Sequence, residues 1–452
     1  MKDYKEYFKG KKVTMLGLGL LGRGLNDAKL LAECGADLII TDLKTAEDLA
    51  PTLKKLSKYK DIKYILGEHR LEDFKNRDFI LKAAGVPLDS PYINEAKKNN
   101  IPVEMDESLF VKVSKDIKIV GVTGTRGKTT TTYLIYEILK KSESKLCCKV
   151  YLGGNIKGLA TLPLLKKVKP GDIVVMELSS WQLQGFGDSC ISPDISVFTN
   201  LLPDHLNYYL KVSKDETEAT QKYFDDKSKV FCNQKKDNYI ILNSFIKKEI
   251  NKRYKGKIES KIIMTDESQI KGWKFKIKGE HNIQNILQAI EVAKILGINI
   301  KDIKRVVENF SGVEGRQEFL REHKGVKIYN DTTATTPDAT VMALRALGDS
   351  KKKNVILIMG GADKNLDMSG LIKEIPKYCK KVILLAGTGT EKLGSKIDGV
   401  LVKDLKTSLL EALKASKKGD ILVLSPAFAS FGMFKNEFDR GDQFVRLVKR
   451  LK

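Results

Sequence analysis

The sequence predicts an α/β protein of three consecutive domains, each built on a parallel sheet wound with helices. Three observations carry that prediction. Short apolar runs alternate with segments of helical periodicity almost from end to end, the pattern of strand–helix–strand units. Glycine-rich turns follow several of the runs, at the strand ends where open parallel sheets bind ligands. And 452 residues with 42% hydrophobic content exceed what one core accommodates.

The first domain is expected over 1–115. Residues 12–16 read as a strand, followed by Gly17-Leu18-Gly19-Leu20-Leu21-Gly22, a helix to about Cys34, and a strand over 36–41 ending at Asp42. Three glycines between strand and helix, with an acid about twenty positions on, satisfy the dinucleotide fingerprint of a Rossmann-like domain. The physics behind it is a pyrophosphate on a helix N-terminus beside a ribose hydroxyl, so any nucleotide diphosphate meets it. Leu20 and Leu21 make the turn apolar, which leaves diphosphate contacts to backbone N–H groups. A strand over 79–83 then leads into Ala84-Gly85-Val86-Pro87-Leu88-Asp89-Ser90-Pro91, a second loop at a strand end.

The second domain, expected over 116–312, opens on the most informative stretch of the chain. An apolar run over 117–122 ends in Thr123-Gly124-Thr125-Arg126-Gly127-Lys128-Thr129-Thr130, and helical periodicity follows. That order suits a phosphate-binding loop of the P-loop ATPase type. Glycines let N–H groups converge on phosphate oxygens, Lys128 reaches the terminal phosphates, and the Thr129 hydroxyl suits Mg²⁺. The glycines stand at 121, 124 and 127, with valine at 122 where the general pattern has glycine. Next come Gly153-Gly154-Asn155-Ile156, a strand over 172–176 ending in Glu177-Leu178-Ser179-Ser180-Trp181-Gln182, and a strand over 195–199 ending in Asn200 to His205. A carboxylate at the end of the strand beside a phosphate loop is where a Mg²⁺ ligand belongs, which selects Glu177. His205, one of four histidines, sits at the end of the next strand and is a ligand candidate. Asn282 and Asn285 lie on one face at the start of a helix running to about Leu296, and spacing alone leaves helix capping open for them.

The third domain, expected over 313–452, alternates strands (326–329, 354–359, 381–386, 420–424) with helices, which predicts a parallel, doubly wound, Rossmann-like sheet. Its strand ends carry Asn330-Asp331-Thr332-Thr333-Ala334-Thr335, Gly360-Gly361-Ala362-Asp363-Lys364, Gly387-Thr388-Gly389 and Ser425-Pro426-Ala427-Phe428-Ala429-Ser430.

Composition excludes several classes. The net charge of +23 comes from lysines spread along the whole chain, with no arginine-rich arm, so nucleic acid is not an expected partner. Six cysteines form no CxxC pair and no Cys/His cluster, arguing against a zinc site or disulfide framework. The first twelve residues are charged and no apolar run approaches a membrane span, so neither a leader nor membrane insertion is expected.

In order, the glycine-rich turn, Gly-Val-Pro-Leu-Asp-Ser-Pro, Gly-Thr-Arg-Gly-Lys-Thr, Gly-Gly-Asn-Ile, Glu-Leu-Ser-Ser-Trp-Gln-Leu, Asn-X-X-X-Asp-His-Leu, His-Asn-X-X-Asn, Asn-Asp-Thr and Ser-Pro-Ala-X-Ala-Ser resemble the Mur ligase family over essentially the whole chain. The resemblance implies ATP-dependent amide-bond formation with two Mg²⁺, joining D-glutamate to UDP-N-acetylmuramoyl-L-alanine in a cytoplasmic, monomeric enzyme. It implies that Gly124, Thr125, Gly127, Lys128, Thr129, Thr130, Asn282, Asn285, Arg316 and Asp331 contact ATP. It assigns Gly19, Leu20, Leu21, Asp42, Asn155, Ser179 and Gln182 to the UDP substrate, and Thr335, Lys364 and Ser430 to the amino acid. Thr129, Glu177 and His205 would hold metal together with Lys227 as a carbamate. Lys128, Glu177, His205 and Lys227 would be catalytic. The carbamylated lysine of the family follows an aromatic residue by four positions, as Lys227 follows Tyr223.

One pocket departs from the family. Thr333 stands where a lysine is usual, and Glu437 where an aromatic residue is usual after Phe-Lys-Asn. Weaker charge-assisted binding of a dianionic amino acid is expected, and a relative adding another amino acid, such as L-glutamate, is the alternative. An NAD-dependent dehydrogenase leaves the Lys128 loop unexplained. A non-catalytic nucleotide-binding regulator is at odds with an intact Lys128, Glu177 and His205.

Overall fold

A computed structural model describes residues 4–20, 22–87, 89–204 and 206–451, without the side chains of Leu206 and Asn207. The chain forms two compact units. One comprises the chain up to Lys271 together with Gln284–Ile303, and the other comprises Gly272–Ile283 with everything from Lys304 onward.

The first unit holds two parallel sheets. Strands β1 (Lys12–Leu16), β2 (Asp37–Asp42), β3 (Lys63–Leu66), β4 (Phe79–Lys82) and β5 (Val103–Glu104) form the first, in the order β3-β2-β1-β4-β5. The order reverses between β1 and β4, so the glycine turn after β1 and the Gly/Pro loop after β4 flank the crevice where such sheets take ligands. They touch: a Cβ placed on Gly17 would lie 3.0 Å from the Cβ of Ala83.

Strands β6 (Lys118–Thr123), β7 (Val150–Gly154), β8 (Ile173–Glu177), β9 (Ile195–Phe198), β10 (Tyr239–Leu242) and β11 (Lys261–Met264) form the second sheet, in the order β11-β10-β9-β6-β8-β7. Its central strands β8 and β9 are buried at every position, which requires cover on both faces and explains why they are apolar apart from Glu177 and Ser196. The phosphate loop follows β6, between the ends of β8 and β9. Gly121 sits in β6 itself, where a Cβ would approach Pro193 to 2.4 Å, so its glycine serves packing.

The second unit holds β12 (Glu318–His323), β13 (Val326–Asn330), β14 (Val355–Gly360), β15 (Cys379–Leu385), β16 (Val400–Val402) and β17 (Ile421–Leu424), in the order β12-β13-β17-β14-β15-β16. Ile356 and Ile358 pack on one face of this sheet, and Val355, Leu357 and Met359 on the other. The sheet is mixed, which corrects the expectation of a wholly parallel one: β12 pairs antiparallel with β13. The two strands are joined across Lys324 and Gly325, too short a link for a parallel crossover. Other boundaries shift by a residue or two, as strand ends fray. No helix among the described residues is long and apolar enough to cross a membrane.

Candidate active site

The phosphate loop is fixed by its own protein contacts. Gly127 caps the helix Lys128–Lys140 with φ 81°, and a Cβ there would stand 2.3 Å from Asn285 Oδ1. Gly124 has φ 139°, and its Cβ would meet Thr199 Oγ1 at 2.0 Å. Asn200 holds the turn from the end of β9: its carbonyl accepts from the Thr125 amide at 2.9 Å and its Oδ1 from the Arg126 amide at 2.8 Å. Lys128, Thr129 and Thr130 form the first turn of the helix, the end where backbone N–H groups suit a phosphate.

Two lysines converge on one carbonyl of this loop. Lys128 Nζ donates to Gly124 O at 3.0 Å and to Thr125 O at 2.9 Å, while Lys227 Nζ donates to Gly124 O at 2.9 Å. Lys227 comes from the helix Glu216–Ser228, is 1% exposed, and has its ammonium 4.6 Å from the centre of the Tyr223 ring one turn earlier. Burial, reinforced by Lys128, holds its pKa well below the usual lysine range. An amine so placed is readily neutral and nucleophilic.

Across the loop, Thr129 Oγ1 donates to Glu177 Oε2 at 2.5 Å, and Asn155 Nδ2 donates to Glu177 Oε1 at 3.2 Å. A hydroxyl and a buried carboxylate oxygen in contact at the head of a phosphate loop are the hard oxygen donors that Mg²⁺ prefers, and they fit that ion. Ser179 caps the helix Ser180–Asp188 in a reciprocal capping box with Gln182. That gives both residues a structural task, yet Gln182 Nε2 is buried with no hydrogen-bond partner among the described residues. Lys128, Thr129, Glu177, Asn155, Lys227 and Asn285 are thus brought together. Thr125 is held by Asn200 and Leu202, and Ser179 and Gln182 lie just beyond Glu177 on the following helix. Asn282 shares the helix Glu280–Ile295 with Asn285, and its Nδ2 donates to Lys278 O at 2.7 Å. His205 and Leu21 lie outside the described residues.

At the first sheet, Leu20 is exposed and Gly19 has φ 64°. Asp42 turns inward. Its Oδ2 accepts from the amides of Leu18 and Gly19, and its Oδ1 from that of Lys44, all at 2.9 Å. Burial pushes its pKa up, but these backbone bonds outweigh it and hold the group below the usual carboxylate range. The expectation that the turn's amides serve a diphosphate therefore needs adjusting: two of them already hold Asp42.

In the second unit, Asp331 follows the end of β13, between Ser425 Oγ (2.8 Å) and the Gln317 amide (3.0 Å), next to Arg316, and burial pushes its pKa up to about 7. Lys364 Nζ donates to Thr335 Oγ1 at 3.0 Å, and the adjacent Ala362 pairs with Ala429 beside Ser430. Thr333 bonds Gly315 O. Arg440 escaped the sequence reading. Fully buried, it donates to Thr332 and to Phe428 O, and so ties the Asp331–Thr335 loop to the Ser425–Ser430 loop. Its position after Glu437 in an amphipathic helix gave no signal.

A P-loop over a Thr/Glu oxygen pair, on a doubly wound sheet, defines a nucleoside-triphosphate-using α/β protein. Residues 122–269 match the Mur ligase middle domain, and residues 315–428 the Mur ligase glutamate ligase domain. Curated relatives include the UDP-N-acetylmuramoylalanine--D-glutamate ligase of Borreliella burgdorferi, 35% identical with 98% of each chain covered. The enzyme of that name from Clostridioides difficile is 33% identical over 98% of this chain and 99% of its own. Among solved structures, the UDP-N-acetylmuramate-alanine ligase of Thermotoga maritima aligns over 98% of this chain and 100% of its own with TM-score 0.60 at 18% identity, a likeness of fold. The chain belongs to the Mur ligase family, among its UDP-N-acetylmuramoylalanine--D-glutamate ligases.

Proposed function

We infer that the chain is an ATP-dependent ligase that adds D-glutamate to UDP-N-acetylmuramoyl-L-alanine, releasing ADP and phosphate, in peptidoglycan precursor synthesis. Relatives of that name aligning end to end support this reading. The observation that carries it is the convergence of Lys128, Thr129, Glu177 and Lys227 on one loop. Residues 1–115 would hold the UDP substrate, 116–312 the ATP and 313–452 the amino acid. The resemblance has the enzyme acting as a monomer in the cytoplasm.

A carboxylate does not react with an amine at neutral pH, because its leaving group would be oxide. Transfer of the γ-phosphoryl group to the alanyl carboxylate makes an acyl phosphate. The amine of D-glutamate attacks it, and the tetrahedral intermediate expels phosphate, with no protein nucleophile. The loop amides and Lys128 hold the phosphates, and the fixed loop aligns them for in-line transfer. Thr129 and Glu177 would hold one Mg²⁺, with His205 and a carbamate on Lys227 at a second. Bound there, the ions neutralise charge developing on the transferred phosphoryl group. Thr335, Lys364 and Ser430 would receive the amino-acid carboxylates.

The test is phosphate release from ATP with UDP-N-acetylmuramoyl-L-alanine and a panel of D- and L-amino acids, alongside calorimetric titration with NAD. ADP and phosphate are expected with D-glutamate, at weaker apparent affinity because Thr333 replaces a cation, and NAD should be silent. AMP and pyrophosphate as products would sink the mechanism. Preference for L-glutamate would overturn the amino-acid assignment alone.

A further inference from the structure

Arg23 opens the helix Arg23–Glu33 directly after the glycine turn, where a basic residue opposes the helix dipole. Its guanidinium is engaged across the first unit. Nη1 donates to Glu107 Oε1 at 3.2 Å, and Nη2 donates to Gly154 O at 3.0 Å. Glu107 and its neighbour Asp106 begin the helix Asp106–Val113, and Asp27 lies one turn beyond Arg23 on its own helix. All three carboxyls are buried around this one guanidinium. Asp27 Oδ1 and Glu107 Oε2 meet no protein donor among the described residues. Burial, with Asp106 close by, pushes the pKa of both groups well up. Asp106 Oδ2 accepts from the Thr161 amide, and Thr161 Oγ1 accepts from the Gly154 amide at 2.8 Å. Gly154 is therefore gripped at both its N–H and its C=O.

That grip bears on the reaction through the next peptide. Gly154 ends β7 in register with Glu177 on β8, and a Cβ on it would stand 2.0 Å from Glu177 O. Asn155 follows, its amide on Glu177 O at 2.8 Å and its side chain on Glu177 Oε1. A structural ion pair would need only Glu107. The second arm of Arg23, on a backbone carbonyl one residue before Asn155, is what a fixed guanidinium fork supplies and an ammonium does not.

We propose that Arg23 is a positioning residue for the ligase reaction: it locks Gly154, and so holds Asn155 and the Glu177 carboxylate in register, from the helix that begins at the glycine turn. The proposal rests on the ligase reading above. Removing the fork frees the Gly154 peptide and lets the Asn155–Glu177 contact relax, while the phosphate loop and the amino-acid loops keep their own bonds.

The test uses full-length Arg23→Met, Arg23→Lys and the double variant Arg23→Met/Glu107→Gln, the last replacing the buried carboxyl that loses its partner and could otherwise unfold the single variant. Turnover is measured with each substrate varied, UDP-N-acetylmuramoyl-L-alanine binding by calorimetry, and folding by thermal unfolding. The folded double variant should lose about tenfold in kcat/KM for the UDP substrate, with its calorimetric Kd rising and KM for D-glutamate within about twofold of wild type. Arg23→Lys should recover only part of the loss. A folded double variant with wild-type kcat/KM and Kd would overturn the proposal, as would a KM for D-glutamate raised as far as that for the UDP substrate. If wild type itself forms no ADP and phosphate with these substrates, the ligase reading fails instead.

Discussion

Asp331 shows how one buried carboxyl sets a pH dependence. Its folded-state pKa of about 7 lies above the ordinary 3.8, so folding favours its protonated form. The stability this contributes is complete below about pH 4 and is lost as pH rises through about 7, a change of up to a few kcal/mol. Asp331→Asn keeps an acceptor for the Gln317 amide and removes the titration. Urea unfolding between pH 4 and 8 should therefore show a shallower decline in the variant than in wild type; parallel curves would refute the assignment. At this scale the sequence was legible where a residue belongs to a motif with its own physics, as do Lys128, Thr129 and Glu177. It was silent where burial decides. Among so many lysines nothing in composition marks Lys227, and spacing could not tell an Asp42 awaiting a ribose from one already bonded to the turn.

At the scale of elements, the loop from β6 into its helix has almost no freedom to accept a side chain. Gly127→Ala places a methyl against Asn285 Oδ1 in a left-handed conformation, a strain of roughly 1–3 kcal/mol. ATP binding should weaken about tenfold or more, while UDP-N-acetylmuramoyl-L-alanine binding by calorimetry stays as in wild type. Wild-type ATP affinity would show that this glycine is dispensable. Strands that feed such loops were readable because they are buried on both faces and so largely apolar. Others were not. In β12, Glu318, Arg321, Glu322 and His323 leave little apolar pattern, since an edge strand with a bulge buries few side chains. β16 is three residues long, below what periodicity resolves. β7 ends in Gly153-Gly154 and carried no strand signal, because glycine is rare in strands, yet a Cβ on Gly153 would crowd Thr161 and Val174 at 3.2 Å.

Across the whole molecule, the three expected segments each contribute one sheet, and the correspondence reflects the strength of α/β alternation as a signal. The borders were less legible. Gly272–Ile283 groups with the second unit although it precedes Gln284–Ile303 of the first, so the helix Glu280–Ile295 passes from one to the other. The crossing falls inside one continuous helix, so no turn signal marks a chain that returns. The dinucleotide fingerprint points to a diphosphate without saying whose, and only the rest of the chain supports the proposed UDP substrate over NAD.

The burial of Lys227 ties this chain to something outside its substrates. If its amine becomes a carbamate, the added carbon and oxygens come from dissolved carbon dioxide, which reacts with the neutral amine that burial favours. A carbamate formed in this way would reverse by mass action. Wild-type enzyme kept in degassed, carbonate-free buffer should then lose turnover slowly and regain it on adding bicarbonate. Lys227→Ala should be nearly inactive under both conditions; turnover of the wild type indifferent to bicarbonate would leave Lys227 an unmodified donor to Gly124. On this reading one metal ligand of a cell-wall enzyme would be drawn from a dissolved gas rather than from the gene.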